Sequence, residues 1–173
     1  METWESLKNR RSIRAFTPDP VPEEMLKRLI LEAAIWAPTA GNAQTWRFIV
    51  VTDPKLLGKI KMVGPGILGN PPAVIVICQD LDEATKKGDR IAKDVLTWMD
   101  TAMAAENIML AAHAEGLGTC AVLSFNETAT QTLLQLPLNI VPQLLISIGI
   151  PKAPAKAPGR KLEVVWFNGY PAN

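Results

Sequence analysis

Three guanidinium groups and one hydroxyl fall within five residues at Arg10-Arg11-Ser12-Ile13-Arg14. Arginine presents a rigid fork of donors that matches phosphate oxygens, and a serine hydroxyl can add a further bond to the same anion. By itself the pattern fits either an anion site or a charged face in water. Three segments downstream add to it. They are Pro38-Thr39-Ala40-Gly41-Asn42-Ala43-Gln44-Thr45-Trp46, then Gly116-Leu117-Gly118-Thr119-Cys120, and Pro158-Gly159-Arg160-Lys161 with its terminal basic pair.

The elements that must position these segments are legible from pattern. Trp4 and Leu7 share one face of a short first helix that ends near Arg10. A second helix starts after Val21-Pro22-Glu23-Glu24, with proline suited to a first helical position and acids to the positive end of the dipole. Leu26, Leu29, Ile30, Ala33 and Ala34 mark its buried face, and Pro38 ends it. Trp46 to Thr52 reads as a strand too apolar to have a wet face. Asp53-Pro54 then caps a helix to about Met62. A second buried strand spans Ala73 to Cys78, and Gln79 to Arg90 reads as a surface connection. A helix from about Ile91 to Glu115 is apolar nearly all round, with Glu106 and Asn107 as its strongly polar exceptions after Ala102; such a helix is buried centrally or against a second subunit. Strands at Thr119 to Leu123 and Leu144 to Ile148 flank a helix whose Ser124-Phe125-Asn126-Glu127 start has capping-box spacing. Beyond Ile150, Pro151, Pro154 and Pro158 stiffen an arm, and Val164 to Phe167 could add a strand that needs a surface to pair with.

Composition narrows the partners. The 173 residues suffice for one domain with a sizeable core; 48% are hydrophobic and 20% charged, as in ordinary globular proteins. With 18 basic and 17 acidic residues the net charge is +1, which disfavours nucleic acid as a partner. The amino terminus lacks the apolar stretch of a signal peptide, and no apolar run is long enough for a membrane span. Cys78 and Cys120 sit inside apolar runs as reduced core thiols, so the expectation is a cytoplasmic protein.

In their order and spacing the four segments resemble the nitroreductase family of FMN-dependent oxidoreductases, from about Trp4 to the tail. That family carries an Arg-Arg-Ser-x-Arg motif, a Pro-Ser-x-x-Asn-x-Gln-Pro-Trp motif, a Gly-Leu-Gly turn into a strand, and a basic residue in a carboxyl-terminal arm. The resemblance implies an α+β fold with a mixed central sheet flanked by helices, built as one FMN-binding domain over residues 1–173. Residues 150–173 would form an arm reaching the partner subunit of a homodimer. It further implies NADH or NADPH as a transient donor and ping-pong reduction of a small organic acceptor such as a nitroaromatic, quinone or enone. The flavin carries the hydride, so no side chain need act as a nucleophile and no metal is required. A flavin-binding carrier or redox sensor with little turnover would carry the same motifs.

Residue by residue, the resemblance gives Arg10, Ser12 and Arg160 to the phosphate and ribityl chain, Arg14 to the pyrimidine edge, and Arg11 a contribution through its backbone. Pro38, Thr39 and Asn42 belong to a segment that can face a flavin held mainly by the other subunit. Ala121, Val122 and Leu123 lie on the strand passing beside the ring, where a backbone N–H can approach N5. The chain departs from the family pattern at Thr39, commonly serine, and at Thr45, commonly proline, whose loss loosens the turn before Trp46. Many relatives also carry a bulky aromatic near Ala121 and a glycine near Leu123.

Two further features point away from chemistry. Gly64-Pro65-Gly66-Ile67-Leu68-Gly69 matches the letter of a dinucleotide fingerprint but follows a helix and precedes a strand, the reverse of what that fingerprint needs. His113, the sole histidine, lies on the apolar helix without ligands in metal spacing, and reads as a packed or capping residue.

Overall fold

The computed structural model describes residues 2–87 and 95–170. Its centre is β2 (Ala73–Asp80), whose side chains alternate between two cores. Ala73, Ile75 and Ile77 enter one; Val74, Val76 and Cys78 enter the other. Both faces are therefore covered, which is why the run reads as continuously apolar. Burial pushes the Cys78 thiol up to about 12, so it stays protonated and inert.

The sheet order is β1 (Trp46–Val51), β2, β4 (Ile140–Gly149), β3 (Gly118–Val122). All three pairings are antiparallel, with one irregularity between Ile77 and Cys78. Among the described residues the mixed character expected of the sheet is confined to a single parallel bridge, Ser12 to Thr119, at the outer side of β3. Apolar runs covered on both faces do not reveal strand direction; the connections decide it.

On one face lie α2 (Glu23–Leu31), the 3₁₀ turn Ala34–Trp36 and α5 (Thr97–Ala114); on the other lie α3 (Pro54–Val63) and α6 (Glu127–Leu133). α2 buries Leu26 and Leu29 as its periodicity requires, but it ends at Leu31 and passes to the 3₁₀ turn before Pro38. Asp53 caps α3 by accepting from Leu56 N (2.8 Å). α6 is capped by Asn126, which accepts from Ala129 N (2.8 Å), and not by the Ser124 of the capping-box spacing.

One other expectation changes. Gln79 to Arg90 is not a plain surface connection: Gln79 and Asp80 finish β2, and Leu81–Lys87 forms α4. The long helix is described from Thr97, and its expected start at Ile91 lies outside the described residues. It buries one side through Ala104, Ala105, Ile108 and Ala112, while Trp98 and Met99 stay exposed on another. In α1 (Thr3–Asn9) the buried residue is Ser6, and Trp4 and Leu7 face outward.

The root of the arm is stitched to the amino-terminal segment. Thr17 N donates to Ile150 O and Lys152 N to Ala15 O, around a Phe16–Pro151 bridge. Past Pro154 the chain is exposed, and Val164 to Phe167 form no strand within the single chain. No helix of the described residues is long and apolar enough to cross a membrane.

Candidate functional site

After α1 the chain runs extended beside β3. Ile13 N donates to Thr119 O (2.8 Å), and the Ile13 side chain packs over Gly118 so closely that a Cβ there would lie 2.7 Å from Ile13 Cγ1. Gly118 is thus required by this close approach and not only by a turn. The result is a strand-like segment whose neighbours alternate in direction.

On the side of Ser12 and Arg14 lies a recess of about 370 Å³, completed by Arg10, Arg11, Lys156 and Arg160. Five cationic side chains surround one hydroxyl. Arg10 Nε donates to Glu106 Oε1 of α5 (3.1 Å), which fixes its guanidinium. Arg11 folds back instead: its Nη1 donates to Lys8 O and Arg10 O, both at 2.7 Å, closing the end of α1. Arg14, Lys156 and Arg160 make no ion pair among the described residues. A surplus of unpaired cations around a hydroxyl is the donor set a phosphomonoester requires, so the residues present fit the flavin phosphate. Lys156 carries no motif signal beyond its nearness in sequence to Arg160, and only the fold brings it to the recess.

The rejected glycine fingerprint has a part here. Gly69 adopts φ +69°, and a Cβ on it would collide with the carbonyl oxygen of Arg14. Gly66 N donates to Ser124 O (3.0 Å), and Lys61 Nζ holds the loop by donating to Asn70 Oδ1 (2.7 Å). The loop therefore braces both the Arg14 segment and the exit of β3. Among the described residues it makes a wall, not a dinucleotide turn.

Pro38, Thr39 and Asn42 are elsewhere. They form a turn before β1 in which Gly41, Asn42 and Gln44 all have positive φ. Thr39 Oγ1 accepts from Gln44 N (3.2 Å), and Asn42 Oδ1 accepts from Gln44 Nε2 (2.9 Å). The turn is tied to α5 by Asp100, whose Oδ1 accepts from Ala40 N (3.3 Å). Burial holds the Asp100 carboxyl above the usual aspartate range, only partly opposed by that bond. Thr45, in the place of a family proline, is buried, and its hydroxyl donates to Gln79 Oε1. Gln79 Nε2 in turn donates to Thr101 Oγ1 (2.7 Å) and Thr97 O (3.1 Å). The turn before Trp46 is held by this network, so the loosening expected from losing proline is offset.

Ala121 on β3 and Leu123 just past its end are exposed while Val122 is in the core, so Val122 can offer a ligand only its backbone. Neither this stretch nor the Pro38–Asn42 turn lines the basic recess.

Register arithmetic explains the separation. Trp46 pairs with Gln79, which pairs with Val141, whereas Thr119 pairs with Ile148. Seven residues along β4 are about 24 Å, and β1 to β3 is three strand spacings, about 14 Å. The two motif groups occupy diagonally opposite corners of one sheet.

A family model described as the nitroreductase family matches residues 7–63 and 60–150. The chain belongs to the nitroreductase family. A relative from Archaeoglobus fulgidus, provisionally named NADH dehydrogenase/NAD(P)H nitroreductase, is 37% identical over 158 residues, covering 87% of this chain and 86% of its own. A Bacillus subtilis protein named FMN reductase (NADPH) is 30% identical over 178 residues, covering 92% of this chain and 68% of its own. A solved FMN-dependent nitroreductase from Clostridium difficile superposes with a TM-score of 0.82 at 30% identity, covering 96% of this chain and 99% of that one. These nitroreductase-fold neighbours carry the α+β class assigned from the sequence.

Proposed function

We propose that this nitroreductase-family protein is an FMN-dependent NAD(P)H oxidoreductase that reduces a small organic acceptor by a ping-pong mechanism, acting as a homodimer. The observation that carries the reading is the recess of Arg10, Ser12, Arg14, Lys156 and Arg160, in which three cations lack a carboxylate partner among the described residues. The names of the relatives support the donor and the cofactor.

When bound, FMN supplies hydride transfer at N5. The chain's own part is to hold and tune it. Arg10, locked by Glu106, and Arg160 with Lys156 neutralise the phosphate; Ser12 adds a hydroxyl donor. Arg14, on the same recess, would supply the positive charge that the resemblance gives to the pyrimidine edge and would favour an electron-rich ring. The position of Pro38, Thr39 and Asn42 at the opposite corner supports a role toward a flavin held by the recess of a second copy. The arm of residues 150–173 is the segment that reaches that copy, and its exposed Leu162, Val165 and Phe167 suit the task.

The test is the visible spectrum of the purified protein before and after anaerobic NADH and NADPH, followed by steady-state turnover with a quinone. A flavin spectrum that bleaches with either donor, followed by acceptor reduction, is expected. A colourless protein that gains no flavin spectrum on incubation with FMN would overturn the reading.

A further inference from the structure

The turn before β1 has an inner and an outer side. Its inner side is closed: Thr45 is buried in the Gln79 network, and Ala40 N donates to Asp100 Oδ1. The backbone is settled as well, since Asn42 N donates to Thr39 O (3.0 Å) and Ala43 N to Ala40 O (3.1 Å). The outer side carries Thr39, half-buried, with Asn42 and Gln44 exposed. What is left to fix there is which end of each polar side chain faces out.

Gln44 fixes two of them. Its backbone N donates to Thr39 Oγ1 (3.2 Å), and its side-chain Nε2 donates to Asn42 Oδ1 (2.9 Å). The oxygen and nitrogen of an amide sit on opposite sides of one planar group, so engaging Oδ1 turns Nδ2 away from Gln44. The Thr39 hydroxyl, with its oxygen occupied as an acceptor, keeps its O–H to give. Among the described residues neither Asn42 Nδ2 nor the Thr39 O–H donates to another group. Both side chains therefore offer donors.

The backbone of Gln44 shows that its side chain has work to do. Its φ is +51°, in the left-handed region. Gly41 (+56°) and Asn42 (+53°) are residue types that enter that region readily, whereas glutamine is not. Such a conformation persists where its surroundings hold it, and the bonds to Thr39 and Asn42 do so here. Glycine at position 44 would keep the backbone bond without the strain and would lose the bond to Asn42.

We infer that Gln44 is a positioning residue: by holding Asn42 Oδ1 it presents the Asn42 Nδ2 donors, beside the Thr39 hydroxyl, to an acceptor atom of the flavin. This rests on the reading that the turn faces a flavin held by a second copy. The carbonyl oxygens and unprotonated nitrogens of the flavin ring are acceptors, and reduction adds electron density to the ring, so donors suit it in both states. An amide turned the other way would set its oxygen against the same acceptors.

The protein is used as purified and saturated with FMN, and affinity is read by flavin fluorescence quenching. Asn42→Gly should weaken FMN about threefold or more, the scale of one net hydrogen bond. Gln44→Gly should do nearly the same with little change in melting temperature, since glycine suits a φ of +51°. Gln44→Glu accepts where glutamine donates, so it should turn the Asn42 amide round and weaken FMN further, about tenfold. In the Asn42→Gly background Gln44→Gly should have no added effect, and the loss from Gln44→Glu should shrink to that of its charge alone. A readout without turnover is the Asn42 side-chain amide pair in a proton–nitrogen spectrum, which should shift in Gln44→Gly. The inference is overturned, with the flavin reading left standing, if Gln44→Gly binds FMN as the wild type does or weakens it equally with and without Asn42. It is likewise overturned if the Asn42 amide signals stay in place, or if Gln44→Glu loses as much in both backgrounds. Wild-type FMN affinity in Asn42→Gly overturns it together with the placing of this turn at the flavin. A protein that takes up no FMN overturns the flavin reading as well.

Discussion

The two corners of the sheet treat their polar groups in opposite ways. At the β1 corner, Thr45, Gln79, Thr97 and Thr101 are buried, and the Gln79 amide uses both its oxygen and its nitrogen within the chain. At the β3 corner, Arg14, Lys156 and Arg160 have no carboxylate partner among the described residues. A closed network stiffens a turn; an open one waits for a ligand. Neutral polar groups paired within the chain hold structure at one corner, and cations without a carboxylate partner fit the proposed binding at the other; satisfaction of polar groups is what separates them.

The contrast can be broken by mutation. Gln79→Leu should cost about 3 kcal/mol, since it strands buried partners at Thr45 and Thr101 for which about 1–3 kcal/mol each is typical. Urea unfolding reads this, and a variant of wild-type stability would show that the β1 corner is not closed in the sense described. Arg160→Ala should do the reverse. Its stability should stay within about 0.5 kcal/mol, as for an exposed side chain, while FMN affinity falls about tenfold or more. Flavin fluorescence quenching measures the affinity, and an unchanged value would remove the arm from the recess.

Asp100 sharpens the comparison because it ties the far turn to α5. Asp100→Ala should cost about 1 kcal/mol by leaving Ala40 N–H without its acceptor, whereas Asp100→Asn keeps an acceptor and should cost less. Equal losses in thermal melts would assign the effect to packing rather than to the bond.

The smallest effect is that of pH. The folded pKa of His113 lies below its ordinary 6.5, first because of burial and then because of Arg10 and Arg11. Between 6.5 and the depressed folded value the unfolded chain binds more protons, so stability falls as pH falls through that window. In His113→Gln this component should vanish from the pH dependence of the urea midpoint. A wild-type slope in that variant would place the protonation elsewhere.

Much of the fold was readable because its signals are local. Asp53-Pro54 named the α3 cap, the apolar runs named β2 and β4, and the helical spacing of Leu26 and Leu29 named the face of α2. The errors came where a signal had a competitor. Ser124 has capping-box spacing to Glu127, yet Asn126, two residues on, is the cap of α6. Gln79 looked like the start of a surface loop because glutamine is usually wet, yet its partners at Thr45 and Thr101 make burial affordable. Glu106 and Asn107 read as exceptions on an apolar helix; each has a task, one holding Arg10 and the other donating to Ala33 O (3.1 Å). Glu106 is 96 residues from Arg10, beyond any local pattern.

The sequence by itself determined most element types, though not α4, together with the family and the arginine cluster, because periodicity, caps and short motifs are properties of neighbouring residues. Only the tertiary structure decided that Lys156 joins the recess, that a false fingerprint braces Arg14, and that the two motif groups stand at opposite corners. Those outcomes depend on strand order and register, which are set by contacts between distant residues.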